Sequence, residues 1–245
     1  MDIIQPIIHD RHIVKNAFEI LKSKVERSSF KLPDDLTIVT CRNEGSMEDR
    51  IISHLSGYSD VSILESNLDY LGIDLVVLKD ARLPWRNTFK FEMIRNYLNS
   101  GKCTTEYFMC CDAIDVIFQD DPQKIIDIFE TFDCDALFMS TTSPLGYNCM
   151  PKVKKFVDKL NKGTGRYMNT GVYIGRTEFI KEVMEDALRY AFPHGTTMDE
   201  HVEWLSKNPA GFPIGSDDQC IFRYIEPKFY PRMKVDYQNL MAYRS

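Results

Sequence analysis

Two aspartates follow a short apolar run. Tyr107-Phe108-Met109-Cys110-Cys111 stops at Asp112, and Asp115 comes three residues later. Carboxylates at the exit of a buried strand are costly unless they are solvated, paired or holding a cation. Each offers oxygen ligands that suit a hard divalent ion. In open α/β sheets, ligands sit at the carboxyl ends of the strands, which is where Asp112 falls. An acidic strand-to-turn junction with no ligand has the same spacing, so both readings stand at this point.

Three further stretches carry residues that could do chemistry. Lys90 falls in the first turn of a helix expected from about Phe89 to Asn99. A lysine is unfavourable beside a helix N-terminus unless something anionic lies there, and the plain alternative is a lysine reaching solvent. Asn169-Thr170-Gly171 opens a strand that closes at Gly175. Gly171 either permits close backbone approach to a ligand or relieves crowding in the sheet. Ser216-Asp217-Asp218-Gln219 precedes a helix expected over Cys220 to Ile225, where ordinary helix capping accounts for Ser and Asp.

The elements that must position these residues alternate. An amphipathic helix is expected over Ile13 to Arg27, from the spacing of Val14, Ala17, Phe18, Leu21 and Val25. Leu36 to Thr40 reads as a strand, followed by the polar loop Cys41 to Gly45. Ile51, Ile52 and Leu55 suggest a helix, and Ile73 to Leu78 another strand. Tyr107 to Cys111 is the buried central strand, with Cys110 and Cys111 on opposite faces as small core residues. Lys124 to Phe132 (helix), Ala136 to Ser140 (strand), Lys152 to Lys162 (helix with a solvated lysine face) and Phe179 to Ala191 (helix) complete the pattern. The loop Thr141 to Met150 is expected over the same sheet edge. The Pro- and Gly-rich segment 192 to 215 reads as a mobile flap, in which His194 and His201 show no metal spacing. Strands alternating with helices, without an internal repeat, argue for one α/β domain over 1–245 with an extra N-terminal helix at about 13–27.

Bulk composition excludes several classes. A net charge of -6 gives no electrostatic footprint for nucleic acid. No run is long and apolar enough for a membrane span, and the first residues lack the basic flank and apolar core of a secretory signal. The seven cysteines show no paired spacing, so neither a zinc site nor a catalytic cysteine follows. A reducing compartment, and hence a cytoplasmic protein, is the expectation.

From about Leu36 to Leu240 the chain resembles a GT-A glycosyltransferase, and more narrowly the N-terminal glycosyltransferase domain of the procollagen lysyl hydroxylases. The resemblance is carried by Trp85-Arg86 with Lys90, by Asp112-Ala-Ile-Asp115-Val-Ile-Phe and by Tyr167-Met-Asn-Thr-Gly-Val-Tyr-Ile-Gly175. Asp217-Asp218-Gln219 and Tyr237-Gln-Asn-Leu240 follow in the same order. It implies a Rossmann-like mixed, mostly parallel sheet flanked by helices. It implies an enzyme that moves a sugar from a nucleotide diphosphate, such as a UDP-sugar, to a hydroxyl of a glycan or protein. Asp112 and Asp115 would bind Mn²⁺ or Mg²⁺ that holds the diphosphate. Lys90 would lie near the phosphates, Thr40 and the loop after it near the nucleotide, Asn169 and Asp217-Asp218 near the transferred sugar, and Gly171 among the donor-binding residues.

Such a transfer needs help with a charged leaving group and a carboxylate near an oxocarbenium-like centre. If the reaction inverts, Asp218 is the candidate base for the acceptor hydroxyl; if it retains, the same carboxylate positions the sugar. The family's third protein ligand to the metal, a histidine beyond the Tyr237 to Leu240 motif, has no counterpart before Ser245. Water or another residue takes that place, or the sequence is a fragment, or metal binding is weak. The rival readings are a sugar nucleotidyltransferase and a non-catalytic nucleotide-sugar-binding module. The first usually carries a Gly-rich phosphate loop, and Cys41 to Gly45 holds one glycine.

Overall fold

The computed structural model describes residues 5–10, 13–43, 61–82, 85–144, 146–160, 163–191 and 217–243. Glu44 and Gly45, the helix expected around Ile51, Ile52 and Leu55, Ser216, and the 192–215 segment with His194 and His201 lie outside them.

Six strands form the main sheet: β2 (Leu36–Asn43), β3 (Val76–Asp80), β4 (Tyr107–Cys111), β6 (Ala136–Thr141), β7 (Tyr167–Arg176) and β8 (Met233–Asp236). Their order is β3-β2-β4-β7-β6-β8. Every strand but β7 runs the same way, since β2 pairs parallel with β3 and β4, β6 pairs parallel with β8, and β7 is antiparallel to both its neighbours. A mixed, mostly parallel sheet is therefore observed, as expected. All five residues of β4 are buried, which fits a continuous apolar run covered on both faces.

A second sheet was not expected. β1 (Ile7–His9) lies between β5 (Val116–Phe118) and β9 (Ala242–Tyr243). Ile7, Ile8 and His9 oppose Phe118, Ile117 and Val116 antiparallel, while Ile7 and Ile8 run parallel to Ala242 and Tyr243. Strands of two and three residues from distant parts of the chain have no periodicity to read. Their burial holds them: Ile7, Ile117, Phe118 and Ala242 are all closed to solvent.

Helices cover both faces of the main sheet. On one side α1 (Val14–Lys24), α2 (Ile63–Leu71) and α4 (Gln123–Glu130) pack with Leu36, Ile38, Met109, Cys111, Val172 and Ile174. On the other, α3 (Phe89–Asn99), α6 (Thr177–Ala187) and α7 (Asp218–Phe229) pack with Val39, Phe108, Cys110, Phe138 and Tyr173. Cys110 and Cys111 thus face opposite layers, as strand alternation requires. Burial pushes the Cys111 thiol well above its ordinary range, which suits a core residue and not a nucleophile. α5 (Pro151–Leu160) carries Val153 and Val157 inward against Tyr147 and Tyr167.

Two helices depart most from the expectation, and β2 runs on through Cys41, Arg42 and Asn43, where a loop was expected. α2 has a full capping box, Ser62 Oγ accepting from the Glu65 amide at 3.2 Å and Glu65 Oε2 accepting from the Ser62 amide at 2.9 Å. It ends at Gly72 in the left-handed region, φ 78°. α7 starts earlier and runs longer than Cys220 to Ile225. Asp217 takes the cap position without a side-chain cap bond, so Asp218 and Gln219 are helical residues and ordinary capping does not account for the acidic pair.

Candidate active site

The site forms where β4 and β7 meet β1. After Cys111 the Asp112 amide donates to the Gly171 carbonyl at 2.7 Å, which ties the turn to β7. Asp115 then leads into β5. Because β1 pairs with β5, and the Asp10 amide donates to the Asp115 carbonyl at 2.9 Å, His9 is carried to the two carboxylates. Its Nε2 lies 3.1 Å from Asp115 Oδ2 and 3.8 Å from Asp112 Oδ2. One ligand atom from each of the three residues lies within 4.8 Å of the others.

This set fits a divalent cation. His9 is 2% exposed, and neither ring nitrogen meets hydrogen-bond geometry with the described residues. A buried polar ring without hydrogen bonds is costly, and a metal ion is the partner that an imidazole and two carboxylates match together. A mixed nitrogen and oxygen shell accepts Mn²⁺, whereas Mg²⁺ favours oxygen and water. Gly171 makes the arrangement possible. A Cβ there would fall 2.3 Å from His9 Cε1, so its close approach is to the histidine ring.

Lys90 joins this cluster to a second carboxylate. Its Nζ donates to Asp112 Oδ1 at 2.7 Å and lies 3.1 Å from Asp218 Oδ2. The two Asp112 oxygens are therefore divided, Oδ1 towards Lys90 and Oδ2 towards His9. Burial works against the ammonium, but Asp112 and Asp218 outweigh it and hold the Lys90 pKa well above the ordinary range. A lysine reaching solvent is excluded. Burial pushes the Asp218 carboxyl up to about 7; Lys90 opposes the rise, and Asp217 and Asp112 add to it.

The remaining candidates lie close by with different partners. Asn169 is buried, and both ends of its amide are used: Nδ2 donates to Gln219 Oε1 at 3.0 Å and Oδ1 accepts from the Gly171 amide at 2.8 Å. Asp217 Oδ1 accepts from Asn87 Nδ2 at 3.4 Å, and Asn87 Oδ1 accepts from Trp85 Nε1 at 3.1 Å. That chain brings the Trp85 stretch to the start of α7. Thr40 is closed to solvent and its hydroxyl donates to the Cys111 carbonyl at 2.8 Å, so its side chain joins β2 to β4.

Asp112, Asp115, Lys90, Asp218, Asn169 and Gly171 are therefore assembled at one sheet edge. The sequence reading missed His9. Its only signal was a histidine after an apolar pair near the N-terminus, and nothing local ties it to a carboxylate more than a hundred residues away. His9, which together with the two aspartates could hold a metal ion, comes from the opposite end of the chain to the one the resemblance implied.

No protein-family model matches the chain. No curated protein matches it either. Among solved structures, the apo form of mouse xyloside xylosyltransferase 1 is similar over 93% of this chain and 82% of that one, at 11% identity and a TM-score of 0.43. A likeness of that size carries no argument about activity, and it shows no relation to the procollagen lysyl hydroxylases.

Proposed function

We propose that the protein is a metal-dependent GT-A-type glycosyltransferase that moves a sugar from a nucleotide-diphosphate donor, a UDP-sugar, to a hydroxyl of a glycan or protein. The observation that supports this is the convergence of His9, Asp112 and Asp115 beside Lys90 and Asp218. His9, Asp112 and Asp115 would hold the cation, and Mn²⁺ suits them. When bound, such a cation neutralises the charge on the departing diphosphate.

The chain's own groups divide the rest of the work. Lys90 supplies a fixed positive charge beside Asp112, where a diphosphate held at the cluster would lie. Asp218, with its pKa raised to about 7, holds or releases a proton in the range a general base needs. It serves as the base for the acceptor hydroxyl in an inverting reaction, or steadies the sugar in a retaining one. Asn169 and Gln219, already bonded to each other, line the approach from β7 to α7.

Calorimetry of UDP with and without Mn²⁺ tests the reading, followed by hydrolysis of a panel of UDP-sugars. UDP should bind at least about tenfold more tightly with Mn²⁺, a difference of about 1.4 kcal/mol. Asp112→Asn and His9→Ala should each abolish that gain while leaving the metal-free affinity as it was. UDP binding and turnover that persist in chelator would overturn the proposal. Tight metal-dependent binding without turnover of any UDP-sugar would leave a binding module.

A further inference from the structure

One face of α7 carries a polar stripe that begins at Gln219 and continues through two buried charged residues, Arg223 and Glu226, that the proposed chemistry does not use. Gln219, Arg223 and Glu226 stand at helical spacing, so they share a face. Arg223 is 0% exposed and Glu226 2%, in a helix packed on β7 and on the turn around Tyr147. Buried charges of this kind are expensive, and they rarely add stability over a well-packed apolar substitute. Their role is better sought in what they hold.

They hold a break in β7. Along the pairing of β6 with β7, Phe138 opposes Tyr173, yet Ser140 opposes Met168, where an unbroken ladder would bring Gly171. Asn169, Thr170 and Gly171 are thereby pushed out of register with β6. Those residues receive His9, bind the Asp112 amide and reach Gln219. Breaks of this sort re-aim side chains, and they persist only when something fixes them.

Arg223 supplies the fixture. Its Nε and Nη2 both donate to the Met168 carbonyl, at 2.9 and 2.6 Å, at the residue where the ladder resumes. Its guanidinium lies over the Tyr147 ring, 4.7 Å from the centroid. The Tyr147 hydroxyl in turn donates to Glu226 Oε2 at 2.6 Å. Gly146, at φ 87°, lets the turn close over the arginine; a Cβ there would lie 3.5 Å from Nη1 and 3.0 Å from Cys220 Sγ. Gln219 and Arg223, one turn apart on the helix, thus grip the consecutive residues Asn169 and Met168.

We infer that Arg223 is a positioning residue: through the Met168 carbonyl it sets the break in β7 that presents Asn169 and Gly171 to the site, and Tyr147 and Glu226 hold its guanidinium in place. The link to turnover rests on the glycosyltransferase reading; the structural role does not.

The test compares wild type with Arg223→Lys, which keeps the charge but loses the paired donors, and with Tyr147→Phe, which removes one hydroxyl. Amide hydrogen exchange is measured along β7, together with UDP affinity in Mn²⁺ and UDP-sugar turnover. In Arg223→Lys, exchange at 169–171 should speed by about tenfold, the scale of losing a charged hydrogen bond. Exchange at 172–176 and in β4 should not change. Turnover should fall at least about tenfold while UDP affinity falls less, as expected when the pose and not the binding is damaged. Unchanged exchange at 169–171, or exchange that speeds equally along the whole strand, overturns the inference. If Arg223→Lys does not fold, the same comparison on Tyr147→Phe decides, with a smaller shift in the same residues expected. If the wild type turns over no UDP-sugar, the exchange arm still decides the role of Arg223, and the failure belongs to the glycosyltransferase reading.

Discussion

At the scale of single residues, the site turns on one lysine shared between two carboxylates. Lys90 bonds Asp112, on the side proposed for the cation, and approaches Asp218, on the side proposed for the sugar. Removing the negative charge at each end should separate the two tasks. Asp112→Asn is expected to weaken metal-dependent UDP binding. Asp218→Asn should leave that binding within a fewfold and lower UDP-sugar turnover by at least about a hundredfold, the usual scale for losing a positioned acid or base. Turnover close to wild type in Asp218→Asn would reduce Asp218 to a partner for Lys90. Asp112 and Asp115 stood out in the sequence as carboxylates at a strand exit, and Lys90 as a lysine in a helix's first turn, each with a plain alternative; Asp218 read as an ordinary helix cap, and only the resemblance singled it out. His9 did not stand out, because an isolated histidine beside two isoleucines violates no local rule.

At the scale of elements, a glycine and a histidine on different strands fit only each other. Gly171 leaves room for the His9 ring, and no side chain fits there without moving it. Gly171→Ala should therefore displace His9 and reduce Mn²⁺-dependent UDP affinity about as much as His9→Ala does, with both aspartates intact; the expected loss is about tenfold. Calorimetry on the two variants and on the double variant checks this. Losses that add fully in the double variant would show that Gly171 acts by some other route. The element pattern was partly readable. β4 and α3 fall where their apolar spacing puts them, whereas β3 lies at Val76–Asp80 and not at Ile73 to Leu78. α2 was passed over although Ser62, Glu65 and Gly72 mark both of its ends. β1 and β9 were beyond reach, since a two- or three-residue strand exists only by virtue of the partner that satisfies its backbone.

At the scale of the whole molecule, burying charge beneath the site has a cost that depends on pH. Burial pushes Glu226 up to about 7, against the Tyr147 hydrogen bond and the Arg223 charge, with the Tyr237 hydroxyl also facing it. The unfolded chain ionises near the ordinary value of 4.5. Between those two values the unfolded state releases a proton that the folded state keeps, so this group's contribution is fully present below about 4.5 and is lost as pH rises to about 7. Glu226→Gln lacks that loss. The Tm of the variant minus that of wild type should therefore grow from about pH 4.5 to about pH 7 and then level off. Taking the difference cancels Asp218, which titrates in the same range. A difference that stays flat across the range would show that Glu226 is not displaced from ordinary behaviour in the fold.

Sequence patterning was enough for the central strand, the opposite facing of Cys110 and Cys111, and the sheet edge at which Asp112 falls; that Lys90 and Asp218 would join it came from the resemblance. The strand, the facing and the edge follow from local patterning, or from the rule that the carboxyl ends of parallel strands share one edge. Tertiary contacts alone bring His9 to the acidic pair, make Gly171 the space for its ring, and join Arg223 to the Met168 carbonyl at the break in β7. Those facts depend on strand register and on which buried group satisfies which. The first two are settled by the closing of β1 between β5 and β9, and the third by the packing of α7 on β7, contacts between residues that no sequence window contains together.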